Sequence, residues 1–124
     1  MDLNVSDRLT LDQVVSEPFR PNCQRCPRLV AHLDNVRAEM PEYHCAPVAT
    51  WGNRRSRVLI VGLAPGLHGA NRTGRPFMGD ASGRLLFSVL AATGFADQTD
   101  ALIRLRGCRI TNAVRCLPPK NRPT

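Results

Sequence analysis

Lysine is nearly missing from this chain: Lys120 is the only one, against sixteen arginines. Aromatic residues are few as well, with four phenylalanines, one tryptophan and one tyrosine, so a core must be built mainly from aliphatic side chains. No apolar run approaches the length of a membrane span, which excludes a spanning helix as the organising element. The start, MDLNVSDR, is acidic and polar and is no secretory signal. Together these absences give the cytoplasm as the expected location and no membrane as a partner. Five cysteines are too uneven for a disulfide framework; in a cytosolic chain they point to metal ligation or free thiols. Neither G-x-G-x-x-G nor G-x-x-x-x-G-K-[ST] occurs in the glycine-rich loop described below, so a nucleotide cofactor has no sequence support. There is no internal repeat.

What is present is one small domain's worth of chain with a net charge of +7. A basic excess favours a polyanionic partner through counterion release. The arginines are scattered rather than in a block, and an arginine-rich codon bias would give the same excess, so charge raises nucleic acid only modestly. Arg54, Arg55 and Arg57 do cluster, as a solvated face commonly does.

The chain is organised around Val58 to Gly83, VLIVGLAPGLHGANRTGRPFMGDASG. Val58–Val61 is a short apolar run of the kind expected for a strand buried on both faces. A polar loop of about twenty residues follows, carrying most of the chain's glycines with His68, Asn71, Arg72, Arg75 and Asp80. Ser82 can cap a helix starting near Gly83, with Leu85, Leu86, Val89 and Leu90 on one face. Gly94 is placed to end it, with Phe95 as the apolar contact beyond the cap. Asp80 is a second candidate for the cap. After an ambiguous stretch at 101–105, Cys108–Val114 reads as a second strand. Strand, helix and strand make a parallel unit. Ligands of open α/β sheets bind beside the carboxyl ends of such strands, and a loop this long is more often functional than merely connecting.

Upstream, Thr10 and Gln13 fit a capping box in a peripheral segment, residues 1–22. Cys23-Gln-Arg-Cys26 precedes a helix expected from Pro27 to Met40, with Leu29, Leu33, Val36 and Met40 at helical spacing. A C-x-x-C before a helix serves redox, zinc or iron–sulfur chemistry, or pairs two small buried hydrophobes. The preceding EPFRPN supplies no strand of the kind a redox pair requires.

GLAPGLHGANRTGRPFMGDASG resembles the first motif of the uracil-DNA glycosylase superfamily. It is closest to family 5, the thermophile-type glycosylases whose loop reads like GLAPG-x-x-G-x-NRTGRPFTGD, with Met78 here in place of threonine. The likeness continues through CRITNAVRCLPPKNRPT and the early cysteine pair, covering roughly Pro21 to Thr124. It implies a three-layer α/β/α fold with a central parallel sheet, Val58–Leu63 central and Cys108–Val114 beside it, incomplete in this chain. Residues 23–124 would be the N-terminal part of one such domain, truncated at its C-terminal end.

The implied activity is hydrolysis of the N-glycosidic bond of uracil, or another deaminated base, in DNA during base excision repair. The base must leave the stack and enter a closed pocket. By resemblance, Phe77 stacks on the base and Asn112 reads its edge. The alternatives are that Phe77 anchors the loop and that Asn112 caps the loop after it. Backbone N–H groups around Gly62 to Gly66, Ala64 among them, can approach a base closely because the glycines lack side chains. Relatives outside family 5 place a polar residue where Ala64 stands, and alanine cannot activate water. Asp80 and Asn71 are the candidates for positioning it, with His68 weaker. Ser82 and Gly83 at a helix start could hold a phosphate, and Arg72 and Arg75 are assigned to phosphates. Trp51 either lies near the pocket or packs on the sheet edge.

Cys23, Cys26 and Cys116 resemble three of the family's four ligands to a structural [4Fe–4S] cluster; the fourth is absent from this chain. Zinc on the same cysteines is the alternative metal. Cys45 and Cys108 fall at no ligand position. The expected partner is DNA containing uracil or deaminated bases, and the full-length protein is expected to be a monomer. The family's second motif carries a histidine that stabilises the departing base; His32, His44 and His68 all lie at or before the first motif. The resemblance therefore implies an inactive fragment. The competing readings are a non-catalytic metal- or nucleic-acid-binding fragment, and an α/β protein binding nucleotide phosphates.

Overall fold

The computed structural model describes residues 19–99 and 102–123. The helix signal around Thr10 and Gln13 lies outside the described residues. In chain order the elements are α1 (Pro27–Glu39), β1 (Trp51–Gly52), β2 (Val58–Gly62), α2 (Ala70–Thr73), α3 (Ala81–Ala92), β3 (Ala96–Thr99), β4 (Leu102–Leu105), β5 (Cys108–Asn112) and a 3-10 turn at Pro119–Asn121.

α1 starts on Pro27, whose fixed φ suits a first helical position; Cys26 before it makes no side-chain cap. Leu29, Leu33 and Val36 are its buried stripe. Leu33 and Val36 join Cys45 and Leu117 in one of two apolar clusters. Arg37 donates to Asp34 Oδ1 at 2.9 Å and to the Cys45 carbonyl, tying the helix to the segment after it. Arg28 Nη2 donates to the carbonyls of Arg122 and Pro123 at 3.1 and 2.6 Å, so the start of α1 also holds the far end of the chain.

β2 and β5 pair in parallel from Val58↔Cys108 to Gly62↔Asn112, the expected strand pair. β1 adds to β5 antiparallel, giving the order β1-β5-β2. The sheet is therefore mixed, and β5, not β2, is flanked on both sides among the described strands. Gly52 permits this: with φ +118°, a Cβ there would lie 2.6 Å from the Cys108 carbonyl oxygen. β3 and β4 form a separate antiparallel hairpin. Its polar Ala96-Asp-Gln-Thr99 run gave no strand signal in the sequence.

The second cluster sits between α3 and the sheet: Phe87 and Leu90 meet Ala96, Cys108 and Ile110, with Ile60, Phe95 and Trp51 at its margin. Two expectations fail here. β2 is not buried on both faces, for Leu59 and Val61 are each 56% exposed and Leu63 is 66% exposed. Nor is the inner stripe of α3 Leu85–Leu86–Val89–Leu90; it runs through Gly83, Phe87 and Leu90, leaving Leu85 68% and Val89 49% exposed. The cause is that α3 covers only the Ile60 side of the sheet. The alternate residues of β2 then point away from it, as strand geometry requires. A helix apolar on two sides is one built for two neighbours.

Asp80 caps α3, its Oδ1 accepting the Gly83 N–H at 2.9 Å, so the cap is Asp80 rather than Ser82. At the other end Gly94 has φ +85°, and the Gly94 and Phe95 N–H groups reach the Ala91 and Leu90 carbonyls at 3.4 and 2.8 Å. This is the glycine stop expected there, with Phe95 packed into the cluster below. Among the described residues no helix is long and apolar enough to cross a membrane.

Candidate active site

β2 and β5 end side by side, and their ladder continues beyond the strands. The Ala113 N–H donates to the Gly62 carbonyl at 2.8 Å and the Val114 N–H to the Leu63 carbonyl at 3.0 Å. Asn112 is thereby fixed beside Gly62 and is 5% exposed. Phe77 arrives from the long loop. A Cβ built on Gly62 would lie 2.5 Å from Asn112 Oδ1 and 2.5 Å from Phe77 Cζ. The amide and the ring therefore lie over one glycine, at the carboxyl end of a parallel strand pair.

The loop is more ordered than its glycine content suggested. It contains α2, ended by Gly74 at φ +78°. Thr73 Oγ1 donates to the Met78 carbonyl at 2.9 Å, and Arg72 donates to the His68 and Gly79 carbonyls at 2.7 and 3.2 Å. Asp80 closes the loop. Its second oxygen, Oδ2, faces the glycines of the loop's first turn: a Cβ on Gly69 would overlap it, and one on Gly66 would lie 3.2 Å away. Asp80 thus spends one oxygen on the helix cap and presents the other beside the cavity.

That cavity has a volume of about 310 Å³, enough for a small flat ligand. Ala64, Gly66, Phe77, Asp80, Ser82 and Asn112 line it, as expected. Leu63 and Pro65 also line it, within the expected Gly62–Gly66 stretch, as do Ala70 and Asn121, which were not foreseen. Asn121 comes from the 3-10 turn, where Lys120 and Asn121 have φ of +54° and +55°. The Pro-Pro-Lys-Asn run was the available signal, since asparagine tolerates a left-handed backbone.

Several expectations do not survive the geometry. Asn71 is 0% exposed and lies outside the cavity. Its amide donates to Cys45 Sγ at 3.6 Å and the Leu67 carbonyl at 3.4 Å, while its Oδ1 has no partner. The turn of α2 sends Ala70 to the cavity and Asn71 into the core, so Asn71 cannot position a water there. The Gly83 N–H belongs to Asp80 and Gly83 is buried, so it offers no anion site; Ser82 remains at the cavity wall. Arg72 is committed to carbonyls of its own loop, and the Arg75 guanidinium lies 4.9 Å from the Trp51 ring centre. Trp51 stacks edge-on against Phe87 at 5.6 Å, the packing alternative. His68 is held by Tyr43, Oη to Nδ1 at 2.8 Å, outside the cavity lining.

Cys23, Cys26 and Cys116 line a second cavity of about 660 Å³, together with Arg20, Arg25 and Arg115. Burial, and then the negative charge of Cys23 and Cys26 nearby, pushes the Cys116 thiol up from its ordinary value. The three thiols share one cavity wall, although no group of three or more His, Cys, Asp or Glu among the described residues is arranged to hold a metal ion. The donor set suits a soft metal or an iron–sulfur cluster and is one thiolate short of four. Cys45 and Cys108 lie elsewhere, 0% and 1% exposed in the two apolar clusters.

A parallel strand pair with an amide, an aromatic ring and a carboxylate around a small cavity at its carboxyl end is the arrangement of an α/β protein. The chain belongs to the uracil-DNA glycosylase superfamily, whose family model matches residues 49–124. It is 49% identical over 111 residues to a type-5 uracil-DNA glycosylase of Thermus thermophilus, covering 82% of this chain and 51% of that one. It is 47% identical over 112 residues to the type-5 enzyme of Pyrobaculum aerophilum, covering 83% and 50%. A type-4 uracil-DNA glycosylase of Thermotoga maritima is 35% identical over 115 residues, covering 93% and 48%. The chain spans about half the length of the curated relatives it matches.

Proposed function

We propose that this chain is part of a type-5 DNA glycosylase that hydrolyses the N-glycosidic bond of uracil, and of related deaminated bases, in DNA during base excision repair. The observation that carries this reading is the convergence of Asn112 and Phe77 over Gly62. A base drawn out of the duplex can lie flat against the ring while the amide meets its edge. Ala64 brings no polar side chain to the cavity; Asp80 is the one carboxylate on its wall, and its Oδ2, free of the helix cap, would orient the attacking water. Arginine-rich surface with a net charge of +7 suits a DNA partner.

The test is release of free base from an end-labelled duplex containing one uracil, with the protein expressed from its whole gene. Release well above background supports a glycosylase; tight binding without release supports a non-catalytic DNA-binding role, a reading favoured by the half-length match. Within an active protein, Asn112→Ala should cost about 1–3 kcal/mol of discrimination, or roughly a 5- to 150-fold fall in preference for uracil over thymine. An unchanged preference would remove the edge-reading role.

The cysteine cavity has a structural role in this proposal. Cys23, Cys26 and Cys116 would supply three ligands of a [4Fe–4S] cluster, and zinc is the alternative occupant. A cluster there would take no part in the hydrolysis and would staple the start of α1 to the segment after β5. Anaerobically purified protein should contain iron and absorb in the visible, and Cys116→Ser should remove most of both. Iron content unaffected by that change would exclude Cys116 as a ligand, and zinc in place of iron would identify the other metal.

A further inference from the structure

Phe77 holds its ring over Gly62 with a φ of +61°, a left-handed backbone that a bulky aromatic residue seldom adopts. Something must make that conformation the best one available. On the loop side, the carbonyls of Met78 and Gly79 are held by Thr73 Oγ1 at 2.9 Å and Arg72 Nη2 at 3.2 Å. On the helix side, the peptide of Phe77 sits directly on the first turn of α3. A Cβ built on Gly83 would overlap the Phe77 carbonyl oxygen and lie 2.6 Å from its carbonyl carbon. The obstructing atoms are backbone, so no rotamer change relieves the overlap. The helix turn cannot easily retreat either, because the Gly83 N–H is held by Asp80 Oδ1 at 2.9 Å.

We infer that Gly83 is a positioning residue: its missing side chain lets the Phe77 peptide seat against α3, and that seating fixes the Phe77 ring over Gly62 beside Asn112. The half-buried ring packs against the cluster of Phe87, Leu90 and Ile110, and the backbone-to-backbone contact at Gly83 sets the peptide from which it projects. The role of the ring as a platform for a base rests on the function proposed above; the seating itself rests on geometry alone.

The experiment compares Gly83→Ala, Phe77→Ala and their combination in the protein expressed from its whole gene. Ring position is read by the nuclear Overhauser effect between the Phe77 ring and the Gly62 α-protons, and function by single-turnover uracil release. Gly83→Ala should abolish the Phe77–Gly62 effect while the one between the Trp51 and Phe87 rings persists. Release should fall as far as in Phe77→Ala, about 5- to 150-fold, the range expected for one base–aromatic stack. The double variant should be no worse than the poorer single one, because Gly83 acts through the ring. An intact Phe77–Gly62 effect in Gly83→Ala, or losses that multiply in the double variant, would overturn the inference. If Gly83→Ala does not fold, Phe77→Gly combined with Gly83→Ala decides: a glycine at 77 can move its carbonyl aside, so restored folding supports the seating and continued failure refutes it. A wild-type protein that releases no uracil would sink the glycosylase reading, and the ring-position measurements would still decide the role of Gly83.

Discussion

Asp80→Asn is expected to lower single-turnover uracil release by about 10²- to 10⁴-fold, the usual contribution of a positioned acid or base. The same change should leave the thermal midpoint almost untouched, because asparagine caps a helix about as well as aspartate. The two oxygens of Asp80 make this separation possible: Oδ1 takes the Gly83 N–H and Oδ2 faces the glycines at the cavity. Asp80→Ala removes both functions. It should match Asp80→Asn in rate but lose a further ~1 kcal/mol of stability with the cap. A full rate in Asp80→Asn, measured with the duplex in excess of its Kd, would show that the water is held by something else.

Expression of residues 1–124 alone is expected to give a protein that self-associates, binds a hydrophobic dye and unfolds without a sharp transition. Leu59 and Val61 on β2, Leu63 just after it, and Leu85 and Val89 on α3 are all about half exposed or more. Covering five such side chains would contribute on the order of 5 kcal/mol, a large share of the 5–15 kcal/mol that holds an ordinary domain. β2 also has one unpaired edge among the described strands, and such edges pair with other chains. A product extended to the length of the curated relatives, about twice this one, should unfold cooperatively if the added residues cover these faces. A soluble, cooperatively unfolding monomer from 1–124 alone would show that these faces need no cover.

The strand pair, α1 and α3 were legible because their signals are local: a β-branched run, a proline start, a glycine stop. The cavity was legible at Phe77, Asp80 and Asn112 through the motif, and the structure puts all three around Gly62 or on the cavity wall. Asn71 was misplaced because its orientation depends on α2, a single turn inside a glycine-rich loop with no apolar period to announce it. The exposed stripes of β2 and α3 could not be foreseen from pattern. Their residues are apolar on both sides, and composition does not say which neighbours are there to cover them. β1 escaped notice because two residues, Trp51 and Gly52, carry no periodicity; only the close approach of Gly52 to Cys108 marks the place.

The scarcity of lysine has a practical consequence at the pocket. Lys120 sits on the 3-10 turn immediately before Asn121, which lines the cavity, and its side chain is exposed. Within residues 1–124 Lys120 is the only side-chain amine, so an amine-reactive reagent meets one side chain there once α-amino groups are blocked. A fluorophore or cross-linker can therefore be attached at one chosen point on the rim of the cavity, without engineering a cysteine into a chain that already has five. From there its emission would test whether DNA comes to the mouth of the site, as the proposed function requires.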